Sequence, residues 1–576
     1  MLTIGLIKMK RYYYIKILFL IGLFYTQAWA EEKEFGLVGP YLSAKYAISQ
    51  SNFDTASKFY EKILNKDPTN LILLNEALMS AVGEGDFKSA QKISKHYTLM
   101  GGKSNVSDFV QDAIMIMNSD YEAIIVKISD NKNNNALTSR LVKAWALLGN
   151  GEMAKAKEEF NNIAQNTNYK NQARYHEALA VAMVGDFEEA DEILSGRKYG
   201  DIQLNNRGIR TYAQILIQVD KEKLALSLIN EVLSKSPHQN FILNNLKQKI
   251  KKGLTIDYDL IMNSRQGIAE VYFGIVELLK NRVDPSEVLM LSRLAEFLWP
   301  ENSNTSIQVA SLLEDLKQYE LALISYSSIP QSNPNYLLAE LGRANTLSLL
   351  EKHHASIEVL KSLAKSHPSY IVVHSSLGDA YRQVDRDNDA IQAYGNAIDL
   401  SNKLGKPRWE IYFYRGMIFE KQKNFIRMEQ DFQKALKLSP KQPDVLNFLG
   451  YSLVEQRKRL PEALDMIMSA AEERPQSGYI IDSLGWIYFR LGNYQAAVEP
   501  MEKAVKLQPI DPIINDHLGD VYWMVGRIRE ANFQWKRALS FSPSKKEAER
   551  IKRKLKLGLD EVLENEKLLD TKTANE

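Results

Sequence analysis

His517-Leu518-Gly519-Asp520-Val521-Tyr522-Trp523, followed by Ala531, Trp535, Ala538 and Pro543, is the stretch that decides the fold. Thirty-four residues upstream the same order stands as Ser483-Leu484-Gly485-Trp486, Tyr488, Ala497, Ala504 and Pro509. A small residue, a second small residue twelve positions later and a proline twelve beyond that recur along the chain. Self-similarity at a fixed period of this length means stacked supersecondary units. Such an array offers a long surface rather than a closed pocket, which lowers the expectation of an enzyme.

The second small residue anchors each unit. It falls at Ala56, Ala90, Ala156, Ala190, Ala225, Ala322, Ser356, Ala390, Met428, Ala463, Ala497 and Ala531, with weaker copies at Ile124 and Val288. A first helix, A, carries the other small residue, as at Ala44, Gly378, Gly416, Gly485 and Gly519, and the two small side chains are expected to face each other. An aromatic four positions after the anchor (Tyr60, Phe160, Tyr326, Tyr394, Phe432, Trp535) shares the anchor's helical face and is expected to aim at the next unit. In Gly85-Asp86-Phe87, Gly185-Asp186-Phe187 and Gly492-Asn493-Tyr494, glycine ends helix A left-handed and Asp or Asn caps helix B. Proline closes the unit because a helix cannot continue back past it.

The pattern Leu518-Gly519, Tyr522, Ala531, Trp535 and Pro543 resembles the tetratricopeptide repeat family, whose consensus is W-x2-L-G-x2-Y, then A-x3-F, then P. The resemblance covers about Tyr41 to Pro543, is strongest after Ala310 and weakest between Leu254 and Pro300. It implies an all-α chain, a right-handed α-solenoid of stacked helix hairpins, and binding of protein partners. The Asp482–Trp486 and His517–Trp523 runs are also similar to exported bacterial members. Some of those are lipoproteins that deliver cell-wall hydrolases to carboxyl-terminal processing proteases; the cysteine such lipoproteins need is absent here.

From Ala225 to Val288 is 63 residues, neither one unit nor two. The sequence therefore divides into an N-terminal array at 41–252, a degenerate repeat or linker at 253–300, and a C-terminal array at 301–543. One degenerate repeat within a continuous superhelix remains the equal alternative. Thr255 to Ile261 alternates apolar and polar residues and could hold a short extended segment. Residues 544–568 read as a charged capping helix, the polar end a solenoid requires, and 569–576 as a disordered tail.

The N-terminus reads as a secretory signal. Lys8, Lys10 and Arg11 precede an apolar stretch from Ile17 to Tyr25, and Ala28-Trp29-Ala30 supplies a small-residue cleavage site. Met9 is a more natural start than Met1. Cleavage after Ala30 removes four basic residues and no acid, taking the formal charge from +2 to −2. The expected location is the periplasm, with an inner-membrane anchor as the alternative if the segment is retained. Membrane association is expected only in that case or through partners.

Near-balanced charge gives no basic field for nucleic acid. With no cysteine among 576 residues, disulfides, thiolate metal sites and a cysteine nucleophile are excluded. The eight histidines form no ligand spacing and are expected on the surface. No catalytic residue, metal site or cofactor is nominated, and the chain is not read as an enzyme. The functional surface is expected on the concave face of the C-terminal A helices, at Phe413, Met417, Asn447, Tyr451, Asp482, Trp486, Phe489, Asp516, Asp520 and Trp523. Aromatics with acids and amides at helical spacing suit an extended peptide or a partner helix. Acids at 482, 516 and 520 would repel a terminal carboxylate, so the clamp that some family members use for chaperone tails is not expected. The sequence reads best as a non-enzymatic periplasmic scaffold or adaptor for a protease, a cell-wall hydrolase or envelope machinery. The alternative is a structural spacer in an envelope or polysaccharide-export assembly.

Overall fold

The computed structural model describes residues 36–130, 136–235, 241–280 and 282–573, with side chains to 566. The stretch expected to be an export signal, with its expected cleavage site after Ala30, lies outside the described residues. Among those described there are 31 helices and no strand, so Thr255–Ile261 is irregular backbone rather than a sheet edge. All fourteen anchors, the two weak copies included, are buried.

Thirteen of the A-to-B turns are built on one left-handed residue. Five are glycines (Gly85, Gly151, Gly185, Gly492, Gly526), but Ser51, Ser119, Asp220, Lys317, Glu351, Asp385, Lys423 and Arg457 hold the same place with φ between 52° and 59°. The residue that follows often caps helix B: the side chains of Asn52, Asp86, Asp186, Asn424 and Asn493 each accept the main-chain N–H three positions on.

Within a hairpin the large side chain four positions after the anchor turns inward, against the expectation that it aims at the next unit. A Cβ on Gly519 would lie 2.4 Å from Trp535, one on Gly378 2.6 Å from Tyr394, and one on Gly416 2.6 Å from Phe432. The helix-A glycine is thus a socket for a helix-B knob. The polar end of the knob is then secured on helix A, Tyr394 Oη donating to Asp379 at 2.6 Å and Trp535 Nε1 to Asp520 at 2.9 Å. Tyr326 and Tyr60 differ and do reach the next unit, Tyr326 filling Gly342 of the following helix A and Tyr60 Oη donating to Glu76 of its following helix A at 2.6 Å.

The chain divides into two compact units between Lys352 and His353. This boundary lies in a regular turn and not in the irregular 253–300 stretch. That stretch is no linker. Helices Ser264–Leu279 and Pro285–Leu298 form a hairpin inside the first unit. The first packs on helices Leu137–Gly149 and Lys170–Met183, the second on Leu71–Glu84 and Asn105–Met117. Gly267 meets the Trp145 ring so closely that a Cβ would lie 2.2 Å away, and Phe87 stacks on Phe297 at 4.2 Å. Arg293 donates to the carbonyls of Gly83 and Glu84 at 3.2 and 3.1 Å, satisfying the last turn of helix Leu71–Glu84. Burial of roughly 1.5–3 kcal/mol for each large apolar side chain makes this hairpin core and not appendage.

In the second unit the expected single capping helix is two, Lys545–Leu557 and Leu559–Thr573, parted by Gly558 at φ +85°. Its helical course runs past Leu569, where a disordered tail was expected.

Candidate functional site

The A helices that carry the face nominated from the sequence are Trp409–Lys421, Pro443–Glu455, Gly478–Arg490 and Pro512–Met524, all in the second unit. Proline opens two of them, where its missing N–H costs nothing. Asp511 caps the last by accepting from Ile513 N and Ile514 N. Equivalent positions of neighbouring A helices stand side by side, and there the nominated residues find partners within the chain.

His517 Nδ1 lies 3.1 Å from both oxygens of Asp482, and its ring stacks on Trp486 at 3.9 Å. Burial alone would lower the imidazole pKa, but the Asp482 carboxylate together with the charges of Asp516 and Asp520 outweighs it and the pKa is raised. Trp486 Nε1 donates to Glu455 at 2.9 Å, and Phe489 stacks on Trp486 at 4.8 Å. Lys554, wholly buried on the capping helix, donates to Asp516 at 2.7 Å and to Asp520 at 2.6 Å. Arg550 stands 3.5 Å from Asp520, and Trp523 Nε1 donates to Asp560 at 2.8 Å. The acids at 516 and 520 therefore do meet a base, supplied by the chain's own cap.

Five of the ten nominated residues are buried (Phe413, Asp482, Trp486, Phe489, Asp520) and serve the stacking of one A helix on the next. The other five are half-buried: Met417, Asn447, Tyr451, Asp516 and Trp523. Of these, Met417, Asn447 and Tyr451 stand away from the capped end. Two exposed aromatics that the repeat register did not nominate extend them: Phe448, set edge-on to Phe413 at 5.4 Å, and Tyr479. Burial and the Glu455 charge raise the pKa of both Tyr451 and Glu420. The open part of the face is thus aromatic and amide-bearing with acidic neighbours.

In the first unit the corresponding A-helix face is covered by the Ser264–Leu298 hairpin. Arg207 grips Glu270 with two hydrogen bonds of 2.6 and 2.5 Å, and Tyr175 Oη donates to the same carboxylate at 3.2 Å. Beside this bridge a cavity of about 520 Å³ remains, walled by Gln172, Tyr175, Arg207 and Phe273 among others. His176, expected on the surface, is buried and accepts from Trp145 Nε1 at 3.1 Å; burial pushes its pKa down to about 3, so it stays neutral. His374 and His517 are also buried. Among the described residues no three His, Cys, Asp or Glu side chains are grouped to hold a metal ion, and no helix is long and apolar enough to cross a membrane.

The tetratricopeptide repeat family model matches residues 410–442 and 481–511, two of the hairpins that carry this face. Among curated proteins the chain is similar to TPR repeat-containing protein PA4667 of Pseudomonas aeruginosa, 26% identical over 210 residues that make up 36% of this chain and 35% of that protein. It is also similar to anaphase-promoting complex subunit CDC16 of Saccharomyces cerevisiae, 23% identical over 250 residues, 42% of this chain and 29% of that one. The chain thus spans about a third of the length of these relatives. Among solved structures, a tetratricopeptide repeat protein from Parabacteroides merdae aligns with 18% identity and TM-score 0.37, covering 45% of this chain and 98% of that one. The APC/C hetero-tetramer Cut9-Hcn1 aligns with 14% identity and TM-score 0.39, covering 91% of this chain and 97% of the other.

Proposed function

We infer that this chain, which carries tetratricopeptide repeats, is a non-enzymatic scaffold that holds protein partners on the A-helix face of its second unit, in the periplasm. The observation that carries the reading is the open patch of Tyr451, Asn447 and Met417 beside exposed Phe448 and Tyr479. Aromatic anchors bury large area at small entropic cost, and a polar surround sets orientation. Glu420 favours a partner segment with a basic residue among its apolar anchors, while Glu455 already faces Arg490 at 3.5 Å. The first unit contributes little to such binding, because its own hairpin occupies the equivalent face. Export rests on the basic, apolar and Ala-x-Ala order of residues 8–30. A protease, a cell-wall hydrolase or another envelope component fits that compartment.

The test is affinity purification from envelope fractions, wild type against Tyr451→Ala and Phe448→Ala. Loss of a defined partner by tenfold or more in both variants, with helical content kept, supports the reading. Equal recovery from all three chains refutes it. N-terminal sequencing of the exported protein checks the location: Glu31-Glu32 at the start means cleavage, and a start at Met1 or Met9 means a retained anchor.

A further inference from the structure

A glycine inside a helix of this chain is usually a filled socket. Trp145 stands 2.2 Å from the Cβ that Gly267 lacks, Tyr326 2.4 Å from that of Gly342, Met501 2.6 Å from that of Gly485 and Trp535 2.4 Å from that of Gly519. The knob accounts for the glycine, which otherwise costs about 1 kcal/mol against alanine in a helix interior. Gly274, deep in helix Ser264–Leu279, has nothing within 4 Å of its Cβ direction. Gly39, in the first turn of its helix, and Gly395, with Arg415 3.8 Å away, are also loosely met. Of the three, only Gly274 lines the cavity of about 520 Å³ beside the Arg207–Glu270 bridge. Glycine is the residue that lets a ligand come close to a helix backbone.

The empty socket opens on a built wall. Helices Leu137–Gly149 and Lys170–Met183 and the start of Asn206–Gln218 line the other side of the cavity. Leu141, Leu204, Phe273 and Leu278 are apolar lining, Leu278 being exposed. Arg207 is held rigid, bound twice to Glu270 and set over the Phe273 ring at 4.8 Å. The volume is ordinary for a ligand site, which runs to about 300–1,000 Å³.

Two features narrow the occupant. The sockets of this fold mostly take rings, and a ring with a polar edge gives its hydrogen to a carboxylate on the socket's own helix. Trp535 Nε1 donates to Asp520, next to Gly519, and Tyr394 Oη to Asp379, next to Gly378. Glu277 stands one turn after Gly274 on the same helical face, lines the cavity, is exposed and accepts one bond, from Gln308 at 2.8 Å. Charge disfavours an anion. Arg207 is balanced by Glu270, His176 is neutral, and Glu277 leaves the lining with one negative charge.

We propose that this cavity binds an aromatic ring with an N–H or O–H edge, an indole or a phenol, seated on Gly274 with its donor on Glu277. The hairpin that closes the first unit's A-helix face to a partner helix leaves room here for a single ring. The site is independent of the face in the second unit, and neither reading falls with the other. Saturation-transfer NMR and calorimetry on the full chain test it with indole and p-cresol as free rings. N-acetyltryptophanamide and N-acetyltyrosinamide present the same rings as side chains. Toluene, which lacks the donor, and indole-3-acetate, which adds a negative charge, are the controls. At least one donor-bearing neutral ring is expected to bind about tenfold tighter than its control. Gly274→Leu, which fills the socket, should abolish that binding while keeping or raising the melting midpoint. Glu277→Met, at an exposed position, should weaken the donor-bearing rings about tenfold and leave toluene unchanged. Tighter binding of the amides assigns the site to a partner's side chain, and tighter binding of the free rings assigns it to a small molecule. No binding of any ring at about 10 mM overturns the proposal. So does binding that both variants leave unchanged, or a preference for toluene or indole-3-acetate.

Discussion

Replacing Gly519 by alanine adds one methyl group in the middle of helix Pro512–Met524. Helix propensity alone makes that a gain of about 1 kcal/mol. The structure reverses the sign. The new Cβ would lie 2.4 Å from both Cδ1 and Nε1 of Trp535, a wholly buried side chain. The indole has nowhere to retreat, since Nε1 is bound to Asp520 at 2.9 Å and Trp523 packs at 5.4 Å. Overpacking costs about 1–3 kcal/mol, and loss of a hydrogen bond to a charged acceptor about 1.5–3 kcal/mol. Set against the propensity gain, the variant is destabilised by about 2–5 kcal/mol, or about 4–20 °C in a unit of this size. Gly274 is the control. It too sits inside a helix, Ser264–Leu279, but nothing lies within 4 Å of its Cβ direction, so Gly274→Ala is expected to stabilise the first unit. Differential scanning calorimetry of both variants reads the two signs directly. A midpoint raised by Gly519→Ala would refute the socket-and-knob account of the hairpin.

Lys554→Met takes from buried Asp520 and half-buried Asp516 their closest cation, leaving only Arg550 at 3.5 Å from Asp520, and is expected to cost up to about 3–5 kcal/mol in urea unfolding, with Asp516→Asn and Asp520→Asn recovering part of it. The His517 pKa is raised in the fold above its ordinary 6.5, so its contribution to stability is complete below that pH and is lost as pH rises through the folded value. Melting temperature should therefore fall across that window, and His517→Gln should flatten the slope. Lys423 holds a left-handed turn at φ 57°, a conformation costing a non-glycine residue about 1–2 kcal/mol. After the extra unfolded-state freedom of glycine, Lys423→Gly should raise stability by about 0.5–1 kcal/mol; a drop in the melting point would show the lysine side chain itself supports the turn.

The hairpins were legible because their anchors repeat: Ala497 and Ala531 mark buried helix-B positions whatever surrounds them. The turns were legible only in part. Gly492 announces a left-handed residue, but Asp385 and Lys423 adopt the same φ with no compositional sign. The docking of the first-unit hairpin on earlier helices escaped because what defines it is tertiary: Gly267 against Trp145 and Arg293 against Gly83 are contacts over 122 and 210 residues. Nomination of the face by register overestimated its openness. Asp482, Trp486 and Asp520 sit where one A helix meets the next, and the spacing held a clue to this. His517 stands 35 residues after Asp482, and Lys554 34 after Asp520, so opposite charges one repeat apart were already paired on paper.

The contact of Arg293 with the end of helix Leu71–Glu84 also bears on how the first unit comes apart. An open array of repeats melts piecemeal, each hairpin answering only to its neighbours, and its ends fray first. Here the early helices are fastened to a segment made some two hundred residues later. Helices Leu71–Glu84 and Asn105–Met117 cannot loosen without disturbing that segment, so amide hydrogens of the helices gripped by the hairpin should exchange together, through one shared opening. During synthesis those early hairpins must also wait for residues 264–298 before their apolar faces are covered. The first unit is in this sense a single cooperative fold written in a repeating script.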